Sequence, residues 1–182
     1  MKRYISILLL FVVSGLHAQD MKKFFVNMPE VVAPLLTKVN REDCVDFLDS
    51  HMKAIVENKL GGKSELQLLT DNYFLMQLTE ASTLQAKLLP LNDSINTLCV
   101  VKTITSPIPD STIRFYDTDW QILPLQALPD STVCYSQAQL SADNPSLILL
   151  NRRNEVNPDT HAMTLVTDTL AFRWSAGQFV RQ

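Results

Sequence analysis

Apolar positions along residues 40–62 recur with a helical period. Cys44, Leu48, Met52 and Ile55 follow one another at spacings of four, four and three, and Val45 and Val56 widen the stripe. Asp46, Asp49, Lys53 and Glu57 lie mostly off it, so one face is offered to a core. Asn40 before Arg41-Glu42-Asp43 marks a helix start with acids in the first turn, and Gly61-Gly62 supplies a left-handed stop. The spacing predicts one long amphipathic helix. Upstream, Met28-Pro29 reads as a turn or helix start and Pro34 breaks the pattern, so residues 19–40 form an ordered lead.

After Gly62 the period becomes two. Segments 64–69 and 73–78 flank the turn Asp71-Asn72, and 83–89 alternates again, with Leu84, Ala86 and Leu88 on one side. In 95–104, Cys99 and Val101 face one way while Leu98, Val100 and Ile104 face the other, which predicts a central strand covered on both sides. Segment 112–116 follows as a fifth strand, and turns this short impose an antiparallel meander. Thr118-Asp119-Trp120-Gln121 has capping-box spacing and predicts a short helix ended by Pro124. Residues 124–144 show no period. Segment 146–151 reads as a buried strand, and Asn157-Pro158-Asp159 as a helix start, against the β-branched Thr164, Val166 and Thr167. Segments 170–174 and 178–181 read as a hairpin across Ser175-Ala176-Gly177. The predicted class is α+β: an antiparallel meander of about five strands packed on one long helix, then a smaller mixed second half closing in a C-terminal hairpin. Residues 41–182 form a single domain on this reading.

The N-terminus has the pattern of a secretory signal peptide. Lys2 and Arg3 precede an uncharged run from Ile5 to Leu16, and Leu16-His17-Ala18 offers a small residue for cleavage. The run is too short for a spanning helix, which needs roughly 20 apolar residues. Residues 1–18 are therefore expected to be removed, leaving a periplasmic or extracellular chain with no transmembrane segment. The 182 residues are 46% hydrophobic and 19% charged, which excludes an intrinsically disordered chain. A net charge of −3 leaves no basic footprint for nucleic acid. Of Cys44, Cys99 and Cys134, the first two lie at apolar positions, so buried unpaired thiols are expected; three cysteines permit at most one bridge.

Motifs for catalysis, metals and cofactors are missing. There is no H-E-x-x-H, C-x-x-C, G-x-S-x-G or glycine-rich phosphate loop. Cys44 and His51 are seven residues apart, two helical turns or about 10 Å of rise, and cannot meet within one helix. No catalytic, cofactor or metal residue is assigned. The best polar constellation is Asp117, Asp119 and Trp120: two carboxylates in a D-x-D spacing suit a hard cation, and Trp beside acids suits a sugar ring. The structural account of the same residues is a cap at Asp117 or Thr118 with Trp120 packed on the sheet. Asp43, Asp46 and Asp49 form an acidic stripe that reads as a solvated helix face.

Several segments, in their order along the chain, resemble a secreted bacterial family catalogued as domain of unknown function 3256. They are Met28-Pro29 with Leu35-Leu36, Asn40-Arg41-Glu42-Asp43-Cys44-Val45-Asp46, Leu60-Gly61-Gly62, Leu88-Leu89-Pro90-Leu91, Asp110 to Asp117 with Trp120, and the closing Trp174 to Phe179. The resemblance spans nearly the whole mature chain, implies export, and carries over no functional residue. Two functions follow as expectations. One is a non-catalytic extracytoplasmic module that binds a protein or envelope component. The other is an acid-dependent hydrolase, or a cation- or sugar-binding protein, using the Asp117/Asp119/Trp120 loop; glycoside chemistry would need its carboxylates about 5–10 Å apart in a cleft.

Overall fold

A computed structural model describes residues 21–92, 95–105, 109–125, 128, 135–156, 158–159 and 161–182. The segment 1–18, read above as a signal peptide, and Cys134 lie outside the described residues. The chain opens with two short helices, α1 (Met21–Asn27) and α2 (Lys38–Asp49). Seven strands follow as an unbroken antiparallel meander: β1 (Ala54–Glu57), β2 (Lys63–Leu69), β3 (Tyr73–Thr79), β4 (Ser82–Pro90), β5 (Asn96–Ile104), β6 (Asp110–Tyr116) and β7 (Ile122–Leu123). A second antiparallel sheet contains β8 (Gln137–Leu140), β9 (Ser146–Val156), β10 (Met163–Ser175) and β11 (Gln178–Arg181), in the order β11-β10-β9-β8. No described helix is long and apolar enough to cross a membrane.

The α+β expectation is overturned. Strands make up 52% of the described residues and helices 13%, in two sheets rather than a meander on one long helix. The helix predicted from Asn40 toward Gly61 stops at Asp49. His51 takes a left-handed φ of 57° just beyond it, and Ala54–Glu57 becomes β1. There Ala54 and Val56 are buried while Ile55 and Glu57 face out. The residues that continue the helical stripe in the sequence are thus sorted by a period of two. The cap lies three residues earlier than predicted. Thr37 accepts from the Asn40 amide at 3.1 Å, and the Asn40 side chain accepts from the Thr37 amide at 3.0 Å. Gly61, at φ 75°, sits in the β1–β2 turn, where Asn58 Oδ1 accepts from the amides of Leu60 and Gly62. Two further predicted helices are absent. Residues 117–120 form a turn, and the residues after Pro158 enter β10, where Thr164, Val166 and Thr167 follow their β preference.

Two apolar cores lie on opposite faces of the large sheet. On one, Met21 and Phe25 of α1, Met28, Val32, Ala33 and Leu36 of the α1–α2 segment, and Cys44 of α2 pack on Leu66, Phe74, Met76, Leu84 and Val100. Phe25 meets Phe74 edge-on at 5.1 Å. Buried Arg41 ties this layer together, its Nε donating to the Val26 carbonyl at 3.1 Å and a guanidinium nitrogen to that of Leu36 at 2.9 Å. On the other face, Leu89, Cys99, Val101 and Phe115 meet the second sheet through Ala138, Leu147, Leu149, Phe172, Trp174 and Phe179. Both sides of β5 are covered, as its two-sided apolar pattern requires.

Side chains of the large sheet satisfy the backbone of β8 and the turn after it. Gln85 Oε1 accepts from the Leu140 amide at 2.9 Å, and Ser111 Oγ from the Ala138 amide at 3.0 Å. Buried Lys87 donates to the Ala142 carbonyl at 2.6 Å. An edge buried without such partners would be costly.

Cys44 and Cys99 are buried and unbridged. Burial pushes the Cys44 thiol up to about 11 and Cys99 higher still; it also pushes the Tyr73 phenol up to about 12. A group kept protonated by the fold contributes stability that is complete below its unfolded pKa and lost as pH rises through its folded one. For Cys44 that window runs from 9.0 to about 11, and for Tyr73 from 10.0 to about 12. Lys87 opposes them: burial lowers its pKa below 10.5, so its cost is relieved as pH approaches that value. The melting temperature is expected to fall from pH 9 upward, and both thiols to stay inert to a thiol reagent until denaturant is added. A melting temperature flat from pH 8 to 11, or thiols that react in the native protein, would refute this.

Candidate functional site

The structure places Asp117, Asp119 and Trp120 in the turn between β6 and β7. Asp117 Oδ1 accepts from the amides of Asp119 at 2.9 Å and Gln121 at 2.8 Å, and the Asp117 amide donates to the Gln121 carbonyl at 3.0 Å. This carboxylate therefore closes its own turn. Asp119 is exposed. Trp120 is buried on the helix side, its ring 5.4 Å from Tyr116 at a tilt of 60°, and its indole nitrogen has no partner among the described residues. The backbone there is left-handed, φ 61°, which turns the ring under the sheet end. The turn brings the three residues together in sequence, while Trp120 packs into the core rather than beside Asp119. Among the described residues no group of three or more His, Cys, Asp or Glu is placed to hold a metal ion.

A groove of about 260 Å³ opens next to this turn, on the helix side of the large sheet. The helices α1 and α2 cover the β1–β3 end of that face, and the segment between them reaches β4 with Val31 and Val32. Beyond it, Lys102, Thr112 and Arg114 keep access to solvent, while Leu98, Val100 and Tyr116 on the same face are buried. Leu84 and Val100 make the apolar floor, and Lys102, Thr112, Arg114 and Tyr116 line the rest.

Strand register explains the cluster. Lys102 stands opposite Thr112, and Val100 opposite Arg114. The two cations are therefore diagonal neighbours on one face, with Cβ atoms about 7 Å apart. Their side chains are long enough to bring both heads to one point. Neither makes an ion pair among the described residues; the ion pairs there lie elsewhere, as in Lys22–Asp49 and Arg153–Asp168. Asp110, opposite Ile104, is the acid placed on the same face next to this row. Val31, 86% exposed, gives the groove an apolar rim.

The sequence reading missed Lys102 and Arg114. Its signal was present in the alternation. Lys102 falls on the Leu98–Val100–Ile104 face of a strand that is apolar on both sides, and Thr112, Arg114 and Tyr116 share one face of the next.

Comparison with known proteins adds the fold and the family. No curated protein matches the chain. A solved structure described as a domain of an uncharacterized protein from Porphyromonas gingivalis W83 is similar, with a TM-score of 0.68 and 22% identity, over 89% of this chain and 97% of that one. At this identity the likeness shows a shared fold alone. The family described as "Protein of unknown function (DUF3256)" matches residues 13–178, in keeping with the resemblance read from the sequence, and the chain belongs to that family.

Proposed function

We propose that the protein is a non-catalytic extracytoplasmic binding module whose recognition surface is the open face over β5 and β6. One observation carries the reading: Lys102, Arg114 and the Thr112 hydroxyl are hydrogen-bond donors without an acceptor among the described residues, gathered over an apolar floor. Such a surface binds and orients. Its lining holds no carboxylate, imidazole or thiol to pair with Lys102 or Tyr116 as a catalytic couple. The extracytoplasmic setting rests on the charged, apolar and small-residue pattern of residues 1–18.

The test is a titration of the isotope-labelled protein, recovered from the envelope fraction and starting at Gln19 by intact mass, with envelope extract. Amide shifts are expected along β5, β6 and residues 28–36, and Lys102→Glu with Arg114→Glu should abolish them. Asp117→Asn with Asp119→Asn should leave them, and the biological role, largely intact. Loss of that role in the Asp pair with the fold unchanged would overturn the module in favour of an acid-dependent enzyme.

A further inference from the structure

The geometry points to a small amphiphilic oxyanion as the occupant of the β5–β6 groove: a carboxylate, sulfate or phosphate head on a short apolar body. This rests on the reading of that face as a recognition surface and names what it takes.

Charge complementarity is the first argument. Lys102 and Arg114 are diagonal neighbours of the same sign, so their positive fields add over one stretch of the face. No carboxylate among the described residues lies within ion-pair distance of either. Asp110 is the other diagonal neighbour of Lys102 on this face and makes no ion pair with it among the described residues. Both cations are therefore open to an anion from outside.

Donor geometry is the second. A guanidinium presents a planar fork that engages two oxygens of one head, and an ammonium adds a point charge. The Thr112 hydroxyl, directly opposite Lys102, is a third donor. Three donors lining one groove suit an oxyanion better than a neutral carbonyl.

The apolar wall is the third. Val31, 86% exposed, stands beside the cations, above the buried Leu84, Val100 and Val32. It accepts an apolar body that has left water, a contact that a free inorganic anion would not make. The 260 Å³ volume falls just below the roughly 300 Å³ at which pockets for drug-sized ligands begin, so the occupant is a small molecule.

The test uses the isotope-labelled protein with octanoate, octyl sulfate, octyl phosphate, octanol and acetate, each below its micelle concentration. The three octyl anions are expected to shift the amides of β5, β6 and Val31–Val32, and their ranking identifies the head. Octanol and acetate should bind at least tenfold more weakly. Lys102→Gln and Arg114→Gln should each weaken octyl-anion binding by about tenfold, leave octanol unchanged, and leave the melting temperature within a degree or two. High salt should weaken the anions alone. Equal binding of octanol and octanoate would overturn the oxyanion while leaving a binding surface. A response to envelope extract with none to any octyl probe would overturn the ligand class, again without touching the module. Binding to phosphatidylglycerol vesicles without a response to monomeric probes would replace it with a membrane surface. Silence toward extract and probes alike would remove both the ligand and the module.

Discussion

Trp174→Ala is expected to lower the unfolding free energy by about 4 kcal/mol, near the middle of the range for removing a buried large aromatic ring. At about 2–4 °C per kcal/mol for a chain of this size, the melting temperature should drop by roughly 8–16 °C. The ring is the main aromatic tie between the sheets. It stacks on Phe115 of the large sheet at 5.8 Å and meets Phe179 of β11 edge-on at 5.0 Å. Its indole nitrogen donates to the Pro90 carbonyl at the end of β4, at 2.6 Å. Truncation removes the apolar area, opens a cavity between the layers, and leaves a carbonyl to find water. Trp174→Phe keeps most of the ring and loses the hydrogen bond, so about 1–2 kcal/mol is expected. Hydrogen exchange should show β9–β11 losing protection before β2–β6. A melting temperature within 3 °C of the parent in the alanine variant would mean that the sheets do not depend on this contact.

Trp120→Ala is expected to cost about 3 kcal/mol, at the low end of the same range. Two features of the site pull it down. The buried indole N–H is unpaired among the described residues, and truncation removes that penalty of about 1–3 kcal/mol. The left-handed backbone at φ 61° is strained for any residue with a Cβ, so alanine keeps the strain that tryptophan bears. Glycine relieves it by about 1 kcal/mol, so Trp120→Gly should be no more destabilising than Trp120→Ala although it removes one more carbon. The two variants are compared by urea unfolding. An unchanged midpoint in Trp120→Ala would place the ring outside the core and return it to the ligand role considered from sequence.

Much of the large sheet was legible because each strand carries its own signal. Leu84, Ala86 and Leu88 alternate with polar residues. Cys99 and Val101 alternate with Leu98 and Val100. The predicted segments 64–69, 73–78, 83–89, 95–104 and 112–116 lie within a residue or two of β2 to β6. The errors fall where two periods agree over a short window. Between Met52 and Glu57 a helical stripe and a strand alternation select overlapping residues. Left-handed His51 and pairing with β2 decide for the strand, and Ala54 and Val56, not Met52, are buried. After Pro158 a good helix start competes with β-branched residues. There pairing of β10 with β9 along eleven register positions outweighs the local cap.

The candidate site divides in the same way. Local chemistry determined Asp117 as a turn former, since its carboxylate reaches amides two and four residues ahead. Nothing local could make Lys102 and Arg114 partners. They are twelve residues apart and become neighbours only through the β5–β6 register, and they line a groove only because the α1–α2 segment stops over β4. By itself the sequence determined the strand alternation, the apolar face of α2 and the burial of Cys44 and Cys99, because these depend on side-chain period and hydrophobicity within a few residues. Segment 146–151 and the hairpin of 170–174 with 178–181 were legible as well, but tertiary structure alone decided their assembly with β8 into a second sheet, the end of α2 and the open cationic groove, because each depends on which distant surface arrives to cover a face, and on which face is left uncovered.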